Sequence, residues 1–180
     1  TKDTSLADDL PDDLQIVRTT DFVAYLPGDL RRMFTKRRSM PDKHSLWRLT
    51  ALKAGIRLVK EEAIDLIFSS SPPHSVHVLS RRIAESTGKP LVVDFRDEWT
   101  FDPTFRKKSK KQEDALRIEK EILTFSKAVT TVTRKAKDNF ASRVPGKKVY
   151  YLPNGFDPED FRELDTGNVK RKPDRKLVIT

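Results

Sequence analysis

The chain has no cysteine, which removes disulfides, thiolate zinc centres and thiol nucleophiles from its chemistry. No apolar run approaches the roughly 20 residues that span a bilayer, and no charged-then-apolar signal segment opens the sequence. These absences make a cytoplasmic location the expectation. No P-loop, dinucleotide glycine fingerprint or serine-histidine-acid nucleophile signature is present, so no complete catalytic apparatus is visible. Acids are almost absent from one stretch: between Arg31 and Lys60 stand ten bases and a single carboxylate, Asp42.

What remains is polar. Apolar residues make up 36% of the 180 and charged residues 35%, with a net charge of +9. That length supports one domain with its own core, expected in the middle of the chain with loosely held ends. Besides the Arg31 to Lys60 stretch, a second basic cluster runs from Arg106 to Lys111. Such surfaces attract nucleic acid, anionic lipid or phosphorylated substrates, and charge alone does not choose among them. A solvated face explains either cluster equally well. In the first, Arg31, Arg32, Arg37 and Arg38 stand with Phe34 and Trp47, a combination suited to an anionic membrane surface. Alternatively, Trp47 belongs to the core of the helix that follows.

Leu66-Ile-Phe68 and Leu91-Val-Val93 are short continuous apolar runs that stop in polar clusters. Between them Val76, Val78, Leu79, Ile83 and Ala84 recur at helical spacing. This is strand, crossover helix, strand, with strands buried on both faces. Further helices are predicted from Leu46 to Glu62 with Ser45 as N-cap, from about Lys110 to Ser126, and from about Arg134 to Arg143. The apolar face of the second is read as Leu116, Ile118, Ile122, Leu123 and Phe125. Strands are predicted at Leu14 to Thr19, Val129 to Thr133 and Val149 to Leu152, in one parallel sheet with the other two. The expected fold is α/β, a parallel Rossmann-like sheet with helices on both faces.

In such sheets ligands bind at the strands' carboxyl ends. There the chain carries Ser69-Ser70-Ser71-Pro72-Pro73, Asp94-Phe95-Arg96-Asp97-Glu98-Trp99 and Asn154-Gly155-Phe156-Asp157. The serines could meet an anion at a helix N-terminus, or Ser71 could simply cap the helix with Pro72 in its first turn. Arg96 between Asp94 and Asp97 would hold both carboxylates ionised, in a substrate site or in a salt-bridge network that pins the loop under Trp99. Asn154-Gly155 is either cleft lining or a tight exit from its strand, with a glycine that permits positive φ. His74 and His77 are spaced for a shared metal, but nothing nearby in sequence completes a ligand set, and no metal is expected.

Ser-Ser-Pro-Pro, then Asp-Phe-Arg-Asp-x-Trp, then Pro-Asn-Gly-x-Asp, in that order from Asp65 to Phe161, resembles the acceptor-side half of a family-4 glycosyltransferase of the two-domain GT-B fold. Glu119 falls where that family carries a helical Glu ahead of a small residue and an Asp; Ser126-Lys127 departs from that pair. Arg96 stands where many relatives place a His, so a His role does not carry over.

The resemblance implies a retaining enzyme that moves a sugar from a nucleotide-sugar donor to a glycan or lipid-linked acceptor hydroxyl, in polysaccharide or glycolipid synthesis at the inner membrane face. It implies no cofactor and no metal. Cleft residues would be Ser70, Ser71, Asp94, Arg96, Asp97, Asn154 and Gly155. Residues 14–162 would form the N-terminal domain without its first strand, after a loose polar segment (1–13). A linker (163–175) and the start of a donor-binding domain (176–180) would follow. The paired-Glu motif and the catalytic groups would lie in that second domain, and the fragment alone would be inactive. Two other classes compete: a basic nucleic-acid-binding domain, for which no helix-turn-helix or RNA-recognition aromatic pattern is visible, and a nucleotide-sugar epimerase, against which the Asp-Phe-Arg-Asp motif speaks. No nucleic acid is expected as a partner.

Overall fold

The structure, a computed structural model, describes residues 10–11, 13–21, 25–29, 32, 41–42, 44, 47–100 and 109–158. From residue 47 onward the described residues form, in order, α1 (Arg48–Glu61), β1 (Ile67–Ser71), α2 (Ser75–Thr87), β2 (Leu91–Phe95), α3 (Lys110–Phe125), β3 (Ala128–Thr131), α4 (Arg134–Arg143) and β4 (Val149–Tyr151). The strands pair in sequence order, β1-β2-β3-β4, all parallel.

Register sorts the strand residues onto two faces. Ile67, Ser69 and Ser71 stand beside Leu91, Val93 and Phe95, and Val129 and Thr131 continue that face beside Val93 and Phe95. It is sealed: Val93, Phe95 and Val129 are 0% exposed. Ala115, Ile122, Leu123, Ala136 and Phe140 from α3 and α4 complete its core. Full burial of each of the valines, Ile122, Leu123 and the two phenylalanines stabilises the fold by about 1.5–3 kcal/mol, and of the alanines by less.

The opposite face carries Phe68, Ser70, Val92, Asp94, Thr130 and Tyr150. It is open at its flanks, where Phe68 and Tyr150 are more than half exposed. The expected helices on both faces are thus met, among the described residues, on one. The reason is topological: right-handed crossovers along a sheet of sequential order put every connecting helix on the same side.

α1 packs against α2 through Ala51, Val59, Leu79 and Ile83, with Trp47 and Ile56 at the margin. Gly55 makes that approach possible, since a Cβ there would stand 2.4 Å from Ile83 Cδ1. α2 ends at Gly88, whose φ of +70° suits a residue without Cβ; its N–H reaches the Ala84 carbonyl at 2.8 Å.

Several expectations are corrected. Leu14 to Thr19 is not a strand. Leu14, Ile16 and Val17 are exposed, and the segment is held by α1 instead: the Trp47 indole N–H donates to Thr19 Oγ1 (2.8 Å) and the Thr50 hydroxyl to the Thr20 carbonyl (2.7 Å). The buried face of α3 is Ala115, Glu119, Ile122 and Leu123, while Leu116 and Phe125 are exposed. Ser71 ends β1 and does not cap α2, whose N-cap position is His74, so Pro72 lies before the helix. Ser45, Arg106 to Lys108 and residues 159–180, including the linker and the final apolar run, lie outside the described residues, as does most of segment 1–13.

Candidate functional site

Parallel strands bring every carboxyl end to one edge, so the residues after β1, β2 and β4 share that edge. At its centre the open face carries a polar row in register: Ser70 beside Asp94, Asp94 beside Thr130, Thr130 beside Tyr150. The Ser70 hydroxyl donates to Asp94 Oδ2 at 2.7 Å, and the Thr130 hydroxyl donates to Oδ1 at 2.6 Å. A carboxylate carries about four acceptor sites. Two are taken by the flanking strands, which hold the group in place on the face that carries no described helix. The Asp94 residue is only 8% exposed, so a polar ligand would displace little water to reach it.

The three serines separate by the period of two. Ser69 and Ser71 point to the helices and are buried, while Ser70 points to the open face. Ser69 Oγ pairs with His77 Nδ1 at 2.9 Å, and Ser71 Oγ with His74 Nδ1 at 3.2 Å. His77 is fully buried against Phe95, ring centroids 4.3 Å apart. Burial, then the neighbouring His74, pushes its pKa down to about 3, against a smaller opposing pull from the Asp94 backbone carbonyl. That carbonyl lacks hydrogen-bond geometry to the ring, and Nε2 has no hydrogen-bond partner among the described residues.

His74 stacks on Trp99, ring centroids 5.1 Å apart at 12°. Burial lowers its pKa too, with Asp42 and Asp97 pulling the other way. The α2 N-terminus is not open to an outside anion: Asp42 Oδ2 accepts from the Ser75 N–H at 2.6 Å, across 33 residues of chain. The sole acid of the first basic stretch therefore sits at the helix's positive end.

The loop after β2 is pinned from behind. Arg96 N–H donates to the Ser71 carbonyl (3.2 Å), Asn139 Nδ2 to Glu98 Oε1 (2.7 Å), and Thr100 N–H (3.1 Å) and hydroxyl (2.8 Å) to the Glu119 carboxylate. Arg143 Nη1 adds bonds to Thr100 Oγ1 and Glu119 Oε1. Burial raises the pKa of Glu119, and the Arg143 charge opposes this. Arg96 and Asp97 are exposed at the edge. The expected triad does not form: among the described residues no ion pair joins Arg96 to Asp94 or Asp97, because Asp94 points into the strand row and the other two leave the sheet.

Asn154 and Gly155 follow β4, exposed, two strands from Asp94. Gly155 does not use the left-handed conformation; Gly88 and Gly146 do. Of the membrane candidates, Arg32 is exposed, while Trp47 is half-buried against the α1–α2 core. Arg31, Phe34, Arg37 and Arg38 lie outside the described residues. No group of three or more histidines, aspartates or glutamates among the described residues is arranged to hold a metal, and no described helix is long and apolar enough to cross a membrane.

Sequence reasoning missed Thr130 and the Thr100–Glu119–Arg143 network. Thr130 was legible as a hydroxyl at the end of an apolar strand; the network joins residues too far apart to be read together.

A parallel α/β sheet whose successive strands are joined by connecting helices defines a Rossmann-like domain. The model of the family described as Glycosyltransferase Family 4 matches residues 12–160. The chain belongs to that family, so its substrates are a sugar donor and an acceptor. No curated protein and no solved structure matches it.

Proposed function

We propose that this chain is the acceptor-side half of a two-domain retaining glycosyltransferase, working with a second domain that binds the nucleotide-sugar donor. The observation that carries this reading is the Ser70–Asp94–Thr130 row on the sheet face that carries no described helix. Asp94, fixed by two hydroxyls, accepts a hydrogen bond from an acceptor hydroxyl and orients it toward the donor carbon. Ser70 and Thr130 hold the carboxylate in position, and Arg96, Asp97, Asn154 and Gly155 border the same edge. Positioning of this kind lowers the barrier by converting a two-body encounter into an oriented one. The nucleotide sugar is a substrate, and the reading requires no cofactor.

A glycan or lipid-linked acceptor suits an enzyme of polysaccharide or glycolipid synthesis at the inner membrane face, where Arg31, Arg32, Phe34, Arg37 and Arg38 would meet anionic headgroups. Trp47, already packed on the core, contributes least to such docking.

The test is sugar transfer by the gene product in full, from a panel of nucleotide sugars to extracted glycolipid acceptors, with the anomeric configuration read by NMR. Asp94→Asn should lower kcat/KM by about ten- to a hundredfold, the worth of one charged hydrogen bond. Thr130→Val should lower it less. Wild-type transfer by Asp94→Ala, or inversion at the anomeric carbon, refutes the reading.

A further inference from the structure

At the opposite edge of the sheet, where the strands begin, lies a hollow of about 750 Å³ between the end of α3 and the α4–β4 turn. Its walls carry Lys120, Lys127, Arg143, Lys147 and Lys148, and no carboxylate. We infer that this hollow binds a phosphate-bearing anion, at a site separate from the acceptor edge.

The cations come from three segments: Lys120 from α3, Lys127 from the step into β3, and the others from the end of α4 and the turn before β4. Nearby acids are already engaged. Glu119 is held by Arg143 and Thr100, and Glu121 by Arg81 and Arg117. Lys147 is fixed in place, its Nζ donating to the Thr124 and Ser126 carbonyls at 2.8 and 2.5 Å. Burial and then the Lys127 charge lower its pKa, so the two ammonium groups feel one another. Lys120, Lys127 and Lys148 are exposed, and none has a side-chain partner among the described residues.

Convergent positive charge in a concave wall favours an anion with several oxygens, which lysines bind as point charges. The hollow is wide and open to solvent, which suits a small, well-hydrated anion. No aromatic ring lines the hollow, so nothing there would stack a nucleobase. A diphosphate or a phosphorylated headgroup fits this chemistry.

Inorganic diphosphate titrated into the whole chain by calorimetry is the first arm. Co-sedimentation with neutral vesicles, and with vesicles carrying phosphatidic acid, is the second. Lys127→Ser and Lys148→Ser should each weaken binding about tenfold, as expected for one charge-assisted contact. Lys135→Ser, the same charge loss at the exposed start of α4, should leave it unchanged. Saturable diphosphate binding with that pattern identifies a soluble phosphate ligand; binding to anionic vesicles alone with that pattern identifies a lipid headgroup. No binding in either arm, binding that Lys127→Ser and Lys148→Ser leave unchanged, or equal weakening by Lys135→Ser overturns the inference.

Discussion

His77 should make this fold acid-sensitive in a defined window. The ring is fully buried, with Nδ1 on the Ser69 hydroxyl and Nε2 without a hydrogen-bond partner among the described residues. Its pKa falls from about 6.5 in the unfolded chain to about 3 in the folded one. Between these values the unfolded chain binds a proton that the folded chain refuses. The ring's contribution is therefore intact above the unfolded pKa and is lost as pH falls toward the folded pKa. Linkage gives a loss of about 2.5 kcal/mol on going from about pH 7 to about pH 4.5, almost unchanged for any folded pKa below about 4. Such a loss is a substantial part of a stability of about 5–15 kcal/mol.

The comparison is urea unfolding of wild type and His77→Gln, followed by tryptophan fluorescence across that pH range. Gln keeps a polar group for Ser69 and cannot titrate. The variant should be less stable at neutral pH, and the gap should close by about 2.5 kcal/mol at the acid end. Carboxylate titrations act on both proteins and cancel in the difference. Parallel pH curves for the two proteins, or a His77 ring that titrates near 6.5 by NMR, would falsify the argument.

Glu119→Gln should destabilise the chain by about 3 kcal/mol, because it leaves Arg143 beside an uncharged buried partner; a Glu119→Leu, Arg143→Met double variant should lose less than the two single changes added together, measured by denaturant unfolding. Asp42→Ala removes the acceptor on the α2 N-terminus and should cost about 1 kcal/mol, seen as a lower urea midpoint with an unchanged slope. Gly55→Val forces side-chain atoms into Ile83 and should cost about 1–3 kcal/mol, with Val59→Ala giving the opposite defect, a cavity, at the same helix pair.

Much of this domain was legible before folding. Leu91-Val-Val93 and Val76 to Ala84 gave strand and helix because continuous apolar runs and a 3.6-residue period each have one stable solution against a core. The carboxyl-edge clusters followed from the same topology, since parallel pairing leaves all strand ends on one side. Leu14 to Thr19 failed by the same logic: its composition suits a strand, but a strand exists only through a neighbour's hydrogen bonds, and the bonds at its Thr19 end go to Trp47 and Thr50 instead.

The site divides in the same way. Sequence named Ser70, Asp94 and the edge on which they stand. Tertiary structure alone decided that Ser70 and Ser71 face opposite ways, that Thr130 completes Asp94, that Asp42 reaches Ser75, and that Glu119 meets Arg143. Local spacing fixes which residues share a strand face or a helix turn, through interactions a few residues long. Partners 24 to 36 residues apart meet only because sheet register and helix packing place them together, and no local pattern carries that information.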